Sequence, residues 1–384
     1  MKAIKAYKVR LYPNKTQEAE LVRILGACRY VFNHFLERRM KHYAETKKTI
    51  SYLVLSSELT KLRHETEWMK GIHIEPVQQS LRRLERAYRS FFKKNTELPK
   101  FKTKKEPKQS FQKYRGWSLR DNKIQIQKGL IVRFRGFVDT KATFADITVS
   151  SVNGKWYASM NATAKIKQPK RYTKPVGIDV GLETLATTST GKKFANIRPQ
   201  KTLQHKLTTA QRALARKTKG SKRREKARQV VGRVYEKIKN IRVNHIHHVS
   251  SAIVRRNPSL IAVEDLNVAG MMANRRVARS FADASVRELL RQLKYKQAWR
   301  GGEFVEINRF YPSSKTCSAC EWIVDSLPLS VRTWKCGNCG KVHDRDINAA
   351  RNIVKEALAH SARGETQRGF VEARKYANTL RNTT

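Results

Sequence analysis

The sequence predicts a multidomain chain, α+β in its first part and α/β in its second. Three observations predict it. Over residues 1–166 the apolar pattern runs β, then α, then β again, which separates an opening strand from the strands it could pair with. Beyond Pro175, short apolar runs that end in an acid alternate with helical patterns. Two Cys-x2-Cys pairs, separated by 15 residues, fall inside that second part.

Size and composition bound what such a chain can be. Its 384 residues leave room for two or three domains at ~100–200 residues each. Hydrophobic residues make up 40% and aromatic residues 9%, enough for real cores, which excludes a disordered basic tail protein. Lys and Arg number 81 against 31 Asp and Glu, a formal net charge of +50. Like charges at that density repel the compact state, so the chain calls for a polyanion and a long nucleic-acid contact surface. A membrane-surface protein is the competing class. No apolar run approaches the ~18 residues of a spanning helix, and MKAIKAYKVR carries charges with no apolar stretch behind it, unlike a secretory signal. The expected compartment is therefore the reducing cytoplasm, with no membrane association.

In chain order, residues 3–12 alternate as Ala3, Lys5, Tyr7, Val9 and Leu11 against Ile4, Lys8, Arg10 and Tyr12, which reads as a strand ending at Pro13. Thr16 reads as a helix N-cap, with Glu18 and Glu20 in a first turn whose dipole favours acids. Leu21, Ile24, Leu25, Cys28, Val31, Phe32, Phe35 and Leu36 follow at helical spacing, and helical patterns continue over 53–62 and 77–92. The basic, Pro-broken stretch NTELPKFKTKKEPKQ reads as a loop. From Ser110 to Ile166 the runs SFQKY, KIQIQ, LIVRF, ATFADITVSSV and WYASMNATAKI read as strands, with turns at Asp121-Asn122 and Asn153-Gly154.

A new unit starts at Pro175, where VGIDVGLETLATTSTGKKFA reads as a strand, a turn and a hairpin. Residues 201–254 are helical with a break near Gly220-Ser221. Within 201–242, 15 Lys and Arg face only Glu225 and Glu236, yet Leu203, Leu207, Ala210 and Leu214, then Val231, Val234, Ile238 and Ile241, keep apolar stripes. These are packed helices with a cationic outer face. SLIAVE reads as a buried strand, 283–300 as a helix, EFVEIN as a strand and DINAARNIVKEAL as a helix; 359–384 is a polar tail.

Three acids stand out. Asp179 sits in VGIDVG, Glu264 in LIAVED, and Asp346 opens DINAARNI. An acid in an apolar strand is costly unless it is paired or binds a cation. Brought together at one end of a sheet, the three could hold hard divalent metal through oxygen and support two-metal phosphodiester hydrolysis. Each also has a plainer use: Asp179 in a turn before Gly181, Glu264 as a polar strand end, Asp346 as a first-turn acid. Asp265 and Asp344 are neighbours that could stand in for two of them.

Cys317, Cys320, Cys336 and Cys339 fit the zinc-ribbon template, a closed four-thiolate structural site. Gly340 suits the turn after the second pair; Glu321 stands at the matching place after the first and is expected to loosen it. Cys28, in an apolar stripe, is expected to be a core thiol. His245, His247 and His248 are expected to pack on the sheet or meet phosphate, since no fourth metal ligand lies near.

GIDVGLETLATTSTG, IAVEDLNVAGM, SSKTCSAC…CGNCG and HDRDINAARNI occur in this order, with KAYKVRLYPNKTQEAELVRILGACRYVFNHFL and QQSLRRLERAYRSFF before them. Together they resemble the TnpB (OrfB) proteins of small bacterial and archaeal transposons, over nearly the whole chain. The resemblance implies an RNA-guided, metal-dependent DNA endonuclease related to the type V CRISPR effectors. It implies a wedge-type β-barrel from 1–13 and 100–172, with an α-helical recognition lobe inserted at 14–99. It further implies a RuvC-like RNase H fold from 173–313 and 341–358 with a helical insertion at 201–254, and a zinc ribbon at 314–340. It places the catalytic, Mg2+- or Mn2+-binding acids on Asp179, Glu264 and Asp346, and structural Zn2+ on the four Cys. Its Asp-x-Asn-Ala-Ala pattern selects Asp346 over Asp344. The implied partners are a transposon-derived guide RNA and target double-stranded DNA with a short flanking motif, bound by a monomer that associates with the nucleoid. Tyr52, Ser56, Gln78 and Gln79 are candidates for reading that motif, or else a solvated helix face, and Arg223 and Arg224 for holding nucleic acid. The competing functions are a catalytically silent RNA-guided repressor, a transposase acting directly on transposon ends, and a structural RNA-binding zinc-ribbon protein.

Overall fold

The computed structural model describes residues 2–106, 108–140, 142–166, 168–275 and 278–362. They form two compact units, Lys2–Lys165 and a second beginning at Ile166. Both mix helix and sheet.

The first unit opens with β1 (Lys2–Tyr12). Three helices follow, α1 (Lys15–Thr46), α2 (Tyr52–Glu65) and α3 (Ile74–Phe92). Six strands complete it: β2 (Lys108–Lys113), β3 (Ser118–Arg120), β4 (Lys123–Gln127), β5 (Leu130–Arg135), β6 (Thr143–Val152) and β7 (Lys155–Lys165). The seven strands make one antiparallel sheet in the order β2-β6-β7-β1-β5-β4-β3. The opening strand lies in its middle. β1 pairs with β7 from Lys2↔Lys165 to Leu11↔Trp156, and with β5 at Arg10, Leu11 and Tyr12. The α1–α3 helices therefore interrupt a sheet whose other strands come after them. They share one hydrophobic core with it: Tyr7, Val9 and Leu11 of β1 meet Leu21, Ile24, Cys28, Phe35 and Leu81 from the helices.

Local chemistry sets the ends of these elements. The N-cap of α1 is Asn14 and not Thr16: the Asn14 side chain accepts from the Gln17 amide at 2.8 Å, and the Gln17 side chain accepts from the Asn14 amide at 2.9 Å. That reciprocal pair satisfies two otherwise orphaned donors, which a lone threonine two residues later cannot do. The β6–β7 hairpin turns at Asn153 and Gly154, both at positive φ, as a two-residue turn between twisted strands requires. β3 escaped the sequence reading because three residues are too few to show alternation.

The second unit contains a five-stranded sheet in the order β10-β9-β8-β11-β12. These are β8 (Val176–Asp179), β9 (Thr184–Thr188), β10 (Lys193–Ala195), β11 (Leu260–Glu264) and β12 (Glu303–Ile307). β8, β11 and β12 run parallel; β9 and β10 fold back as an antiparallel extension. Between β10 and β11 come α4 (Pro199–Thr202), α5 (Gln204–Ala215) and α6 (Lys222–Val254). Between β11 and β12 come α7 (Val268–Ala273), α8 (Ala278–Ala284) and α9 (Val286–Trp299). A two-stranded ribbon, β13 (Thr333–Lys335) and β14 (Val342–Asp344), leads into α10 (Arg345–Ala362).

Alternation along β11 sorts the layers. Ile261 and Val263 point to a core with Ile246, Val249 and Ile253 of α6 and Leu289 and Leu293 of α9. Leu260 and Ala262 point the other way, to Ile353 and Ala357 of α10. A sheet covered on both faces needs continuous apolar strands, which is what SLIAVE supplies. α10 lies so close to β8 that a Cβ on Gly177 would stand 1.9 Å from the Ala350 carbonyl oxygen, so only glycine fits there. α5 and the first half of α6 pair through a small core of their own, Leu207, Ala210, Val231, Val234 and Ile238. No helix among the described residues is long and apolar enough to cross a membrane. Residues 359–362, expected to begin the polar tail, belong to α10, and the rest of that tail lies outside the described residues.

Candidate active site and metal centre

Asp179 is the last residue of β8 and Glu264 the last residue of β11. The two strands are parallel neighbours with Ile178 opposite Val263, so both acids leave the sheet at its carboxyl edge, side by side. Asp346 lies in the first turn of α10, where the helix dipole favours an acid. Asp179 senses both of the other carboxyl groups. Burial pushes Asp179 up to about 7, and the charges of Glu264 and Asp346 push the same way, against Arg345 and Arg332. Burial also raises Glu264, opposed by the hydrogen bond from Ser313.

Glu264 and Asp346 already have partners. The Ser313 hydroxyl, itself buried, donates to Glu264 Oε1. Arg332 Nη1 lies 3.3 Å from Asp346, and the same guanidinium pairs with Glu183. The neighbouring acids are committed elsewhere. Asp344 accepts from Lys193 Nζ at 2.7 Å and from the Ile347 amide at 3.0 Å, and Asp265 pairs with Arg309.

The sequence reading missed the residues that hold this edge together. Asn348 and Asn352, one turn apart on α10, are both buried. Asn352 donates to the Ser313 and Thr316 carbonyls at 2.8 and 2.6 Å, and Asn348 to the Thr316 carbonyl at 2.7 Å. Asn348 also accepts from the Ser318 amide at 2.9 Å. One face of α10 thus fixes both Ser313 and the start of the cysteine segment. The signal was present as two amides at i and i+4 among alanines, a pattern costly to bury without partners.

The four thiols come together. The sulfurs of Cys317, Cys320, Cys336 and Cys339 all lie within 4.8 Å of one another, and among the described residues they are the group of metal-ligand side chains that meets this closeness. Cys317 and Cys339 are 3.7 Å apart, Cys320 and Cys336 3.6 Å. A tetrahedral zinc with ~2.3 Å bonds spaces its sulfurs at roughly 3.8 Å, so the residues fit a structural zinc. The Trp322 backbone amide pulls the Cys320 thiol down to about 6, while Cys339 is pushed up to about 11, its Lys341 amide bond outweighed by burial and by the Cys320, Cys336 and Cys317 sulfurs. Glu321 does not loosen its turn. It adopts φ 66° against 71° for Gly340, and its amide donates to the Cys317 carbonyl at 2.9 Å as Gly340 donates to Cys336 at 3.0 Å. Two matched knuckles outweigh the modest cost of a left-handed glutamate. His343, buried beside the cluster, brings Nε2 to 3.1 Å from Cys317 Sγ and meets the Trp334 ring at a 37° tilt.

The nucleic-acid candidates divide. Arg223 is exposed on the first turn of α6. Arg224 instead turns back to donate to the Leu214 and Lys217 carbonyls at 3.1 and 2.7 Å, closing the end of α5. Gln79 is buried and donates to Glu75 Oε1 at 3.0 Å, so its face of α3 is not a solvent face. Gln78 and Ser56 are half-buried, and Tyr52, also half-buried, accepts from Arg82 Nε at 3.1 Å. His245 Nε2 lies 2.8 Å from the Ala195 carbonyl of β10, which fits packing on the sheet. Cys28 is a core thiol, pushed up to about 12 by burial.

Comparison with known proteins agrees in several independent places. A family profile described as "Probable transposase" (OrfB_IS605) matches residues 158–275, a Cas12f1-like TNB domain matches 287–353, and a helix-turn-helix domain profile matches 1–48. The structure over that last span is one strand and one long helix. A protein of Streptomyces pristinaespiralis, named as a candidate RNA-guided DNA endonuclease, is 38% identical over 94% of this chain and 91% of its own length. InsQ of Escherichia coli K12, named in the same way, is 34% identical over 95% of both. Among solved structures, the Cas12f1 protein of a complex with sgRNA and target DNA superposes with a TM-score of 0.57 at 11% identity, covering 92% of this chain and 99% of that one. CasPhi-2 (Cas12j) bound to crRNA gives 0.50 at 10% identity, covering 93% and 98%. At such identities the two superpositions speak for shared fold alone. The near full-length identities and the OrfB match together show that the chain belongs to the TnpB (OrfB) family.

Proposed function

We propose that the chain is an RNA-guided DNA endonuclease that hydrolyses phosphodiester bonds in both strands of its target at Asp179, Glu264 and Asp346. The observation that carries this reading is that Asp179 and Glu264 end two neighbouring parallel strands, and that burial, together with the charges of Glu264 and Asp346, pushes Asp179 up to about 7. Three oxygen-bearing acids so placed make a hard-ligand donor set. Divalent Mg2+ or Mn2+ held there would activate water and stabilise the leaving oxygen. The chain's own part is to hold the carboxylates: Ser313 orients Glu264, Asp344 caps the helix that carries Asp346, and Gly177 lets that helix reach β8. Two pairs of side chains with opposite effects act on Asp179: Glu264 and Asp346 retain its proton, while Arg345 and Arg332 draw it away.

On this reading the second unit is a RuvC-like RNase H fold with an inserted zinc ribbon held by Cys317, Cys320, Cys336 and Cys339. The first unit is a wedge β-barrel around β1 and β2–β7, with α1–α3 as the recognition lobe. Relatives carrying this activity in their names support RNA guidance. The guide pairs with DNA, and the protein meets the heteroduplex by shape and backbone charge. Arg223 and the cationic outer face of α5 and α6 suit that contact, and Tyr52, Ser56 and Gln78 remain candidates for the flanking motif.

The test is cleavage by purified protein–RNA complex in Mg2+ or Mn2+. Asp179→Ala, Glu264→Ala and Asp346→Ala should each lower the cutting rate by roughly 10³-fold or more while guide binding stays at the wild-type level. Full cutting by Asp179→Ala would overturn the assignment. The description "Probable transposase" favours a second reading, strand transfer at transposon ends. Reaction of such ends without any guide RNA would select it.

A further inference from the structure

The turn after β12 carries a side chain that the fold does not use. β12 ends at Ile307, which stands opposite Glu264 in the parallel ladder. Six residues later Ser313 donates its hydroxyl to the Glu264 carboxylate. Residues 308–313 therefore leave the sheet beside one acid and return to the same acid, forming a rim on the carboxyl edge.

That rim is held at nearly every residue. The Tyr311 amide donates to the Asn308 carbonyl at 3.2 Å, and the Phe310 amide to Asn308 Oδ1 at 2.9 Å. Arg309 is clamped by Asp265 through Nε at 3.1 Å and through Nη2. Tyr311 packs against the core of Leu260, Val305 and Ile353, and Asn352 anchors the Ser313 carbonyl. Between these committed neighbours, Phe310 is 85% exposed, more than any other large apolar side chain among the described residues. Its backbone is fixed and its ring is in water. Of two adjacent aromatics, one is built into the core and the other is presented.

We infer that Phe310 is a base-stacking platform for the single-stranded DNA that enters the acid site. A nuclease that takes its sequence information from a guide must accept any base at the cut, and ring stacking does this because every base has a π-face. A fixed turn places the ring at small entropic cost. The Arg309–Asp265 pair beside it keeps the guanidinium from closing over the ring. Phe310 would then act on strand position, not on bond breaking. This inference rests on the nuclease reading above, and the experiment separates the two.

The protein–guide complex is given targets with a single abasic site at successive positions around the scissile phosphate, under single-turnover conditions. An abasic site at the stacked nucleotide should slow the wild type by roughly 5- to 150-fold. Phe310→Ala should be slowed to a similar degree on intact DNA and lose its sensitivity to that position, while Phe310→Trp restores both. Thermal midpoint and target binding, measured in an Asp179→Ala background, should not move. Phe310→Ala cutting at the wild-type rate, or keeping the wild-type abasic profile, would overturn the inference. If wild type cuts no target at all, the nuclease reading falls and stacking is decided without cleavage. In that case 2-aminopurine in bound single-stranded DNA should be quenched by wild type and by Phe310→Trp. Equal fluorescence with Phe310→Ala would overturn the platform.

Discussion

Lys113 shows what a single side chain can hide from sequence. Two positions after Phe111, it shares that ring's face of β2 and is fully buried, with Nζ donating to the Gly116 and Ile126 carbonyls at 2.9 and 2.5 Å. Burial pushes its ammonium down to about 8, with Glu75 opposing. Between about pH 8 and the usual lysine value near 10.5 the unfolded chain therefore binds more protons here than the folded one, so stability from this group rises with pH across that window. Relative to Lys113→Met, the wild type should gain as pH goes from 7.5 to 10, read as the difference between urea midpoints of the two proteins. An unchanged difference would show that Lys113 is not held as charged and desolvated. The acids and cysteines were legible as residue types, because an acid in an apolar strand and paired Cys-x2-Cys each carry a physical demand. What sequence could not supply was the partner of each: Ser313, Arg332, Asn348 and Asn352 reach the site from elsewhere in the chain.

At the scale of elements, α10 does three tasks with two faces. Ile353 and Ala357 cover the sheet, Asp346 joins the acid edge, and Asn348 and Asn352 grip the 313–318 segment. Asn352→Leu keeps the branched shape but leaves two buried carbonyls without that donor. The expected loss is about 2–4 kcal/mol, measured by denaturant unfolding, with faster amide exchange confined first to residues around Ser313–Ser318. Strands and helices of ordinary length were readable from periodicity, as KIQIQ, LIVRF and the α1 stripe show. Thr16 failed as a cap because a competing Asn-x-x-Gln pair lay two residues upstream. β3 was missed because its three residues owe their conformation to β4, their partner. The central place of β1 was not readable either, since the β–α–β order permits an edge strand equally well.

At the scale of the whole molecule, a net charge of +50 has to be met by something outside the chain. The cationic surface is built on packed helices, so it is not a loose tail. Binding of RNA should therefore follow counterion release, with log affinity falling linearly against log salt. Protein without RNA should precipitate or aggregate at low salt and be rescued by guide RNA. A salt-independent affinity, or free solubility of the RNA-free chain at low ionic strength, would contradict this.

The close seat of α10 on Gly177 also orders events in time. The ribosome delivers Asp179 early, Glu264 some 85 residues later, and Asp346 only after the cysteine ribbon has been made. Because the third acid rides on a helix that must first nest against β8, a growing chain already holds its cationic helices, and can gather RNA, while the carboxylate set is still incomplete. On the proposed nuclease reading, synthesis itself would act as a safety catch, loading the chain before it could cut.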